Sequence, residues 1–194
     1  MGIIVICVLA FLLYLWVQGN KPRIKGHVGE YKVKNILLKA FKNPNATVFN
    51  DITIRLNGDS TQIDHVVICE KGIFVIETKN YSGWIFGNER SKKWTQVIFK
   101  KKTSFQNPLH QNYKHIKFLE SILNIDIRLC ISLVVFTNKC EFKTNMPFNV
   151  IQSKNLKNFI YSNITNKLKP NEVRSLTSKL ILSIDNNKFN TSIH

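Results

Sequence analysis

The chain has 194 residues, with 28 Lys and Arg against 12 Asp and Glu, a formal net charge of +16. That length holds one ordinary domain with a short anchor or tail, and 44% hydrophobic residues exclude a disordered chain. Eight Gly and five Pro exclude a collagen-like or proline-rich polymer, and four scattered Cys (Cys7, Cys69, Cys130, Cys140) exclude a zinc ribbon or a disulfide framework.

The first charged side chain is Lys21, so the whole excess of positive charge lies on residues 21–194. Such an excess attracts polyanions, either nucleic acid or an anionic membrane surface. Residues 3–17, IIVICVLAFLLYLWV, form an unbroken apolar run. With its flanks this run is at the short end of what crosses a bilayer. Tyr14 and Trp16 sit at its C-terminal end, where interfacial aromatics are favoured, and Lys21, Arg23 and Lys25 follow. A cleaved signal peptide fits less well, because there is no basic n-region and VQGN is a poor cleavage site. The segment 1–19 therefore reads as a single N-terminal transmembrane helix. The positive-inside rule places everything after Lys21 in the cytoplasm. Residues 20–25 form a basic linker in which Pro22 disfavours continued helix.

Val33, Ile36, Leu37 and Ala40 share a helical face, which predicts a helix over about 27–41. Residues 47–49 and 52–56 are strand pieces, and 57–60 a turn. Residues 62–69 and 73–79 are two β-rich runs joined at Glu70-Lys71-Gly72. Further strands are expected at 84–87 and 94–99. A helix runs from Asn107-Pro108 to about Leu123, and 129–136 is a buried central strand. A short strand at 150–151 and helices at 156–164 and 171–182 complete an α/β domain with a mixed sheet.

Asp64, Glu77 and Lys79 interrupt two otherwise apolar strands, where ionised groups are costly unless paired or metal-bound. Alternation puts Glu77 and Lys79 on one face. A two-residue Lys71-Gly72 loop would pair Asp64 with Lys79 and turn all three side chains the same way, whereas a three-residue loop would send Asp64 to the opposite face. Two carboxylates suit a hard divalent cation, which activates water and neutralises a phosphoryl group. A lysine beside them orients or deprotonates that water or stabilises the developing anion. The plainer alternative is a buried Asp64–Lys79 ion pair with Glu77 at the solvent end of its strand. His65 alternates away from Asp64 and reads as a packed histidine. His27, His110 and His115 show no metal-ligand spacing with carboxylates.

Several segments together resemble the nuclease-related domain (NERD) family. They are Gly26-x-x-Gly29-Glu30, Thr61-Gln62-Ile63-Asp64-His65-Val66-Val67, and the run from Gly72 through Glu77-Thr78-Lys79-Asn80-Tyr81-x-Gly83. Trp94-x-Gln96, Asn107-Pro108-Leu109-x-Gln111-Asn112 and Val134-Val135-Phe136-Thr137-Asn138 continue it. The resemblance covers about residues 26–160 and leaves 161–194 as a C-terminal helical extension. It implies a restriction-endonuclease-like core of the PD-(D/E)xK type, a mixed sheet flanked by helices. In that pattern Asp64 and Glu77 are ligands of Mg²⁺ or Mn²⁺, joined by the Thr78 carbonyl. Lys79 is the catalytic lysine, and Glu30 reaches in from the first helix. Ile63 stands where the class often has Pro. Gln96 and Gln111 are candidates to hold phosphate or water. Lys92, Lys93, Lys100, Lys101 and Lys102 are candidates for the nucleic-acid backbone, or equally for anionic lipid headgroups.

The expectation is a membrane-anchored, Mg²⁺-dependent nuclease that hydrolyses DNA phosphodiesters on the cytoplasmic side. The alternative is a non-catalytic module of the same fold that holds nucleic acid or a protein at the membrane.

Overall fold

The computed structural model describes residues 2–42, 44–162, 167–184 and 192–193; the side chains of 2–4, 17–18, 20–25 and 192–193 lie outside that description. In chain order the elements are α1 (Gly2–Ala40), β1 (Ala46–Leu56), β2 (Asp59–Cys69), β3 (Gly72–Lys79), β4 (Gly83–Phe86), β5 (Lys93–Ile98) and β6 (Lys101–Gln106). Then come α2 (Pro108–Leu123), β7 (Cys130–Phe136), β8 (Cys140–Phe142), β9 (Val150–Gln152), α3 (Leu156–Ser162), α4 (Pro170–Ser183) and β10 (Ser192–Ile193). Six strands form one sheet in the order β10-β1-β2-β3-β7-β9, and four form a second in the order β6-β5-β4-β8. Both mix parallel and antiparallel neighbours: β3 pairs antiparallel with β2 and parallel with β7, and β4 antiparallel with β5 and parallel with β8.

The central strand β3 has β-rich composition and neighbours on both edges, and helices cover both of its faces. Val66, Ile68, Ile73 and Val75 pack with Ile116, Leu119 and Leu123 of α2 and Val173, Leu176 and Leu180 of α4. Val67, Phe74, Ile76, Leu133 and Val135 pack with Val33 and Leu37 of α1 and Leu156 and Ile160 of α3. A third cluster joins the two sheets. Trp94, only 1% exposed, stacks on Phe136 at 6.1 Å and 6° between ring planes, beside Ile85, Cys140 and Val150. Truncating an aromatic of that size costs about 3–5 kcal/mol. The segment 161–194, expected as an extension, contributes α4 to the first of these cores.

Several sequence expectations are corrected. The first helix does not begin near residue 27; α1 is continuous from Gly2, through Pro22, to Ala40. Proline forfeits one backbone hydrogen bond, but its fixed φ is helical and a formed helix gains a bond with each added residue. The linker expected at 20–25 is therefore helical backbone. Residues 47–49 and 52–56 are one strand, deflected at Asp51 by a left-handed φ of 51°. Strands β6, β8 and β10 lie outside the sequence expectation; β6 is mostly exposed and carries no apolar alternation. Residues 163–164, expected to end a helix, lie outside the described residues.

Among the described residues, no helix is long and apolar enough to cross a membrane. The described apolar side chains at the start of α1 run from Val5 to Trp16, all exposed. The side chains of residues 1–4, 17 and 18 of the expected 1–19 anchor lie outside the described residues.

Candidate active site at the end of the central strands

The β2–β3 hairpin sets the site. Its ladder runs from Cys69 opposite Gly72 to His65 opposite Ile76, so the two loop residues are Glu70 and Lys71. Gly72, at φ 121°, sits just after the loop, where a Cβ would meet the Leu129 carbonyl at 2.6 Å. The expected Lys71-Gly72 loop is thus displaced by one residue. Continued one step, the ladder brings Asp64 opposite Glu77 instead of Lys79. A displacement of one residue on each strand preserves parity, so all three charged side chains still share a face.

Asp64 Oδ2 accepts a hydrogen bond from the Thr78 backbone N–H at 2.7 Å. Lys79 Nζ donates to Glu77 Oε1 at 2.6 Å and to Gln111 Oε1 at 3.0 Å. The imidazole of His115 donates from Nε2 to Glu77 Oε2 at 3.2 Å, and its Nδ1 is hydrogen-bonded to Thr61 Oγ1 at 2.7 Å. The ion pair seen is therefore Glu77–Lys79, not Asp64–Lys79.

The helix that supplies Gln111 and His115 is fixed by two asparagines. Asn107, fully buried, caps α2 by accepting from the Leu109 N–H and donates to the carbonyls of Asn88, Glu89 and Ser91. Asn112 donates to the Val75 carbonyl at 2.8 Å and to Ser132 Oγ at 2.9 Å, tying the next turn to β3 and β7. Gln111 and His115 are four residues apart, so they lie on one face of α2. His115, dismissed on spacing along the chain, is the site residue that sequence reasoning missed. The available signal was its helical offset from Gln111.

The electrostatics follow from burial. Burial first, then the charge of Glu77, pushes the Asp64 carboxyl well above its ordinary value. Burial also pushes Glu77 upward, but the hydrogen bond from His115 and the charge of Lys79 outweigh it and hold Glu77 low. For Lys79 the desolvation that favours loss of its proton is outweighed by Glu77, so its ammonium is held above the usual lysine range. Glu77 is fully compensated, and Asp64 only in part, by the Thr78 N–H and the more distant charge of Lys79.

A cavity of about 610 Å³ opens over these groups, lined by Gly26, Glu30, Asp64, Glu77, Thr78, Lys79, Asn80, Tyr81, Gln96 and Thr103. Glu30 reaches its rim because Gly29 lets α1 approach β3 closely; a Cβ there would lie 2.6 Å from Asn80 Cβ. Glu30 bonds His27 Nδ1 at 3.3 Å instead of a member of the cluster, and burial raises its carboxyl. Gln96 lines the cavity and donates to the Ser82 carbonyl at 2.7 Å. Lys92, Lys93, Lys100, Lys101 and Lys102 are exposed on the β5–β6 hairpin and its approach, outside the cavity, with no ion pair among the described residues. His65 is buried against Asn50 at 2.8 Å, and burial lowers its imidazole to about 3. The four cysteines are free thiols.

Among the described residues, no three His, Cys, Asp or Glu side chains form a group able to hold a metal. The donor set nevertheless suits a magnesium-like ion. Such an ion is held through one or two carboxylates and keeps several waters, and Asp64 is a half-buried carboxylate whose desolvation and nearness to Glu77 outweigh the bond from Thr78 and the charge of Lys79.

Residues 25–137 match the model of the nuclease-related domain (NERD). That is more than half of the chain, and the chain belongs to this family. The family match, the mixed sheet and its flanking helices are consistent with the PD-(D/E)xK superfamily. An uncharacterized protein of Bacillus anthracis is 49% identical over 127 residues, covering 66% of this chain and 59% of that protein. The chain thus spans about three fifths of the length of this curated relative. No solved structure matches the chain significantly.

Proposed function

We propose that this protein is a Mg²⁺-dependent nuclease that hydrolyses DNA phosphodiesters. The observation that carries the proposal is the convergence of Asp64, Glu77 and Lys79 in one cavity beside an uncompensated basic hairpin. Asp64, Glu77 and the Thr78 carbonyl are the residues that would hold the ion, with Glu30 at the rim. When bound, the ion supplies a lowered water pKa and a neutralising charge for the phosphoryl oxygens. Lys79 stays protonated at neutral pH, so it serves as a fixed cation that orients the attacking water or the phosphate rather than as a base. Gln111 and Glu77 hold its Nζ, and His115 holds Glu77 from the other side. Gln96 lines the cavity, its Nε2 held by the Ser82 carbonyl, and is the amide that can position phosphate or water there. The exposed lysines supply grip on the backbone.

The same proposal includes attachment to the cell membrane through residues 1–19, with the domain on the cytoplasmic side. The charge-free apolar run and the bases that follow it support this. Alkaline-carbonate extraction of the full chain tests it, and release of the chain into the soluble fraction would reject it.

One observation favours the non-catalytic alternative. Both Glu77 oxygens are already engaged, by Lys79 and by His115. Cleavage of plasmid and of linear single-stranded DNA with Mg²⁺ or Mn²⁺ decides between the two. Cutting that chelation abolishes and that Asp64→Asn and Lys79→Ala remove supports the enzyme. Cutting that is absent, or equal in the variants, rejects it.

A further inference from the structure

The β5–β6 hairpin ends in Phe99 and Lys100, between paired Ile98 and Lys101. Phe99 is 97% exposed and holds a left-handed φ of 52°, a conformation that favours glycine at this turn position. A bulky residue there is strained and buries nothing within the chain, so folding does not account for it. Beside it lies a hollow of about 460 Å³ lined by Ser82, Gly83, Trp84, Val97, Ile98 and Phe99. Trp84 is 48% exposed, with Lys143 Nζ 4.9 Å from its ring centroid. Lys100, Lys101 and Lys102 flank the hollow, all exposed.

Strand β5 links this hollow to the catalytic cavity. Gln96 lines the cavity and Ile98 the hollow, about 7 Å further along the strand at ~3.3 Å per residue. That is about two steps of a stacked nucleic-acid strand. Resting on the nuclease reading above for its direction, we infer that the hollow bounded by Trp84, Ile98 and Phe99 holds an unstacked base of a single nucleic-acid strand, whose phosphates cross Lys100–Lys102 toward the carboxylates. A concavity lined by two aromatic rings, with Lys101 and Lys102 paired to its lining strand and Lys143 over Trp84, is what sequence-tolerant single-strand binding requires. A base paired inside a duplex does not reach such a hollow, so the preferred substrate is single-stranded or frayed. A convex apolar tip would serve equally to enter a bilayer; the concavity next to the cavity favours a discrete planar group.

The test titrates the full-length chain in EDTA, which separates binding from cleavage. The probes are a fluorescein-labelled oligothymidylate of about 20 nucleotides and a blunt duplex of equal length. Phe99→Gly removes the ring and relieves the positive φ, so the fold is kept; Trp84→Leu removes the second ring. Both variants are expected to lose about tenfold or more in single-strand affinity, with duplex affinity within about twofold of the parent. Unchanged single-strand affinity, or equal loss on both probes, overturns the inference. Vesicles containing phosphatidylserine are the third probe; loss confined to them also overturns the inference and assigns the tip to the membrane. If the hollow fails, metal-dependent cutting stays intact; if cutting fails, the single-strand preference is still measured.

Discussion

The two sheets of this molecule handle charge in opposite ways. In the six-stranded sheet, β3 is buried along nearly its whole length, and its Glu77 and Lys79, with Asp64 of the neighbouring β2, are tied into bonds with His115, Gln111 and Thr78. In the four-stranded sheet, β6 is exposed along nearly its whole length, and its lysines have no ion-pair partner among the described residues. Few charges in a dry, pre-shaped place can do chemistry, because each interaction there is strong and needs no reorganisation. Many charges in water attract a polyanion cheaply and are screened by salt. Substitutions in the first sheet should therefore change rates with little effect on grip, and those in the second should do the reverse.

The largest effect is expected at Asp64. Asp64→Asn removes one of two proposed ion-holding carboxylates and should lower cleavage by about 10³-fold or more. Stability should move the other way. The native carboxyl is held up by burial and by Glu77, so neutralising it relieves a cost, and the thermal midpoint without metal should stay level or rise. A variant that lost both activity and stability would place Asp64 in a structural ion network.

His115 comes next. It bonds Glu77 on the side away from Lys79, so His115→Ala should lower activity about 10–100-fold, the usual effect of removing the group that orients a ligand. It also strands Thr61 Oγ1 and Glu77 Oε2, at about 1–3 kcal/mol. His115→Gln, which can still donate to Glu77, should recover part of the rate. Stability and rate falling together, with no recovery in Gln, would leave His115 as packing alone.

The pH dependence follows from the same asymmetry. The folded value of Asp64 lies above its unfolded one, so the metal-free fold loses stability as pH rises through the interval between them. Glu77 is held low, so its contribution is present above its ordinary value of 4.5 and is lost as pH falls through the depressed one. A divalent cation must displace the Asp64 proton, so its stabilising effect should grow with pH across the raised range. Melting curves with Mg²⁺ and with EDTA at stepped pH measure this; a metal effect independent of pH would remove Asp64 from the site.

The same contrast governs what could be read in the sequence. Asp64, Glu77 and Lys79 were legible because charges inside apolar strands violate the expected pattern. Their shared face was legible too, since it depends on parity and survived a loop displaced by one residue, which moves the register by two. Which of them pair was not legible, because Asp64 opposite Glu77 depends on the register itself. His115 was only half legible: its offset of four from Gln111 put both on one face of α2, but that this face meets Glu77 is set by Asn107 and Asn112 across distant strands. Strand β6 gave no signal, since Lys101-Lys102-Thr103-Ser104 faces water and has no apolar face to alternate. The continuity of α1 through Pro22 was lost to a local rule that a long helix overrides.

The smallest change per residue is expected on the exposed hairpin, and it is the sharpest measure of the division. Replacing Lys100, Lys101 and Lys102 together by Ala should leave the thermal midpoint nearly unchanged, because exposed side chains without partners contribute within about 0.5 kcal/mol each. Affinity for DNA at low salt should fall, and its dependence on salt should flatten. Each phosphate left without its lysine takes about 0.7–0.9 from the slope of log affinity against log salt, so the triple variant flattens it by at most about 2–3. The rate on bound substrate should hold, since none of the three lines the cavity. An unchanged slope would mean that the polyanion lies elsewhere on the basic surface. A lowered rate at saturating DNA would mean that the hairpin shapes the site as well as gripping the strand, and the two sheets would then be one functional unit.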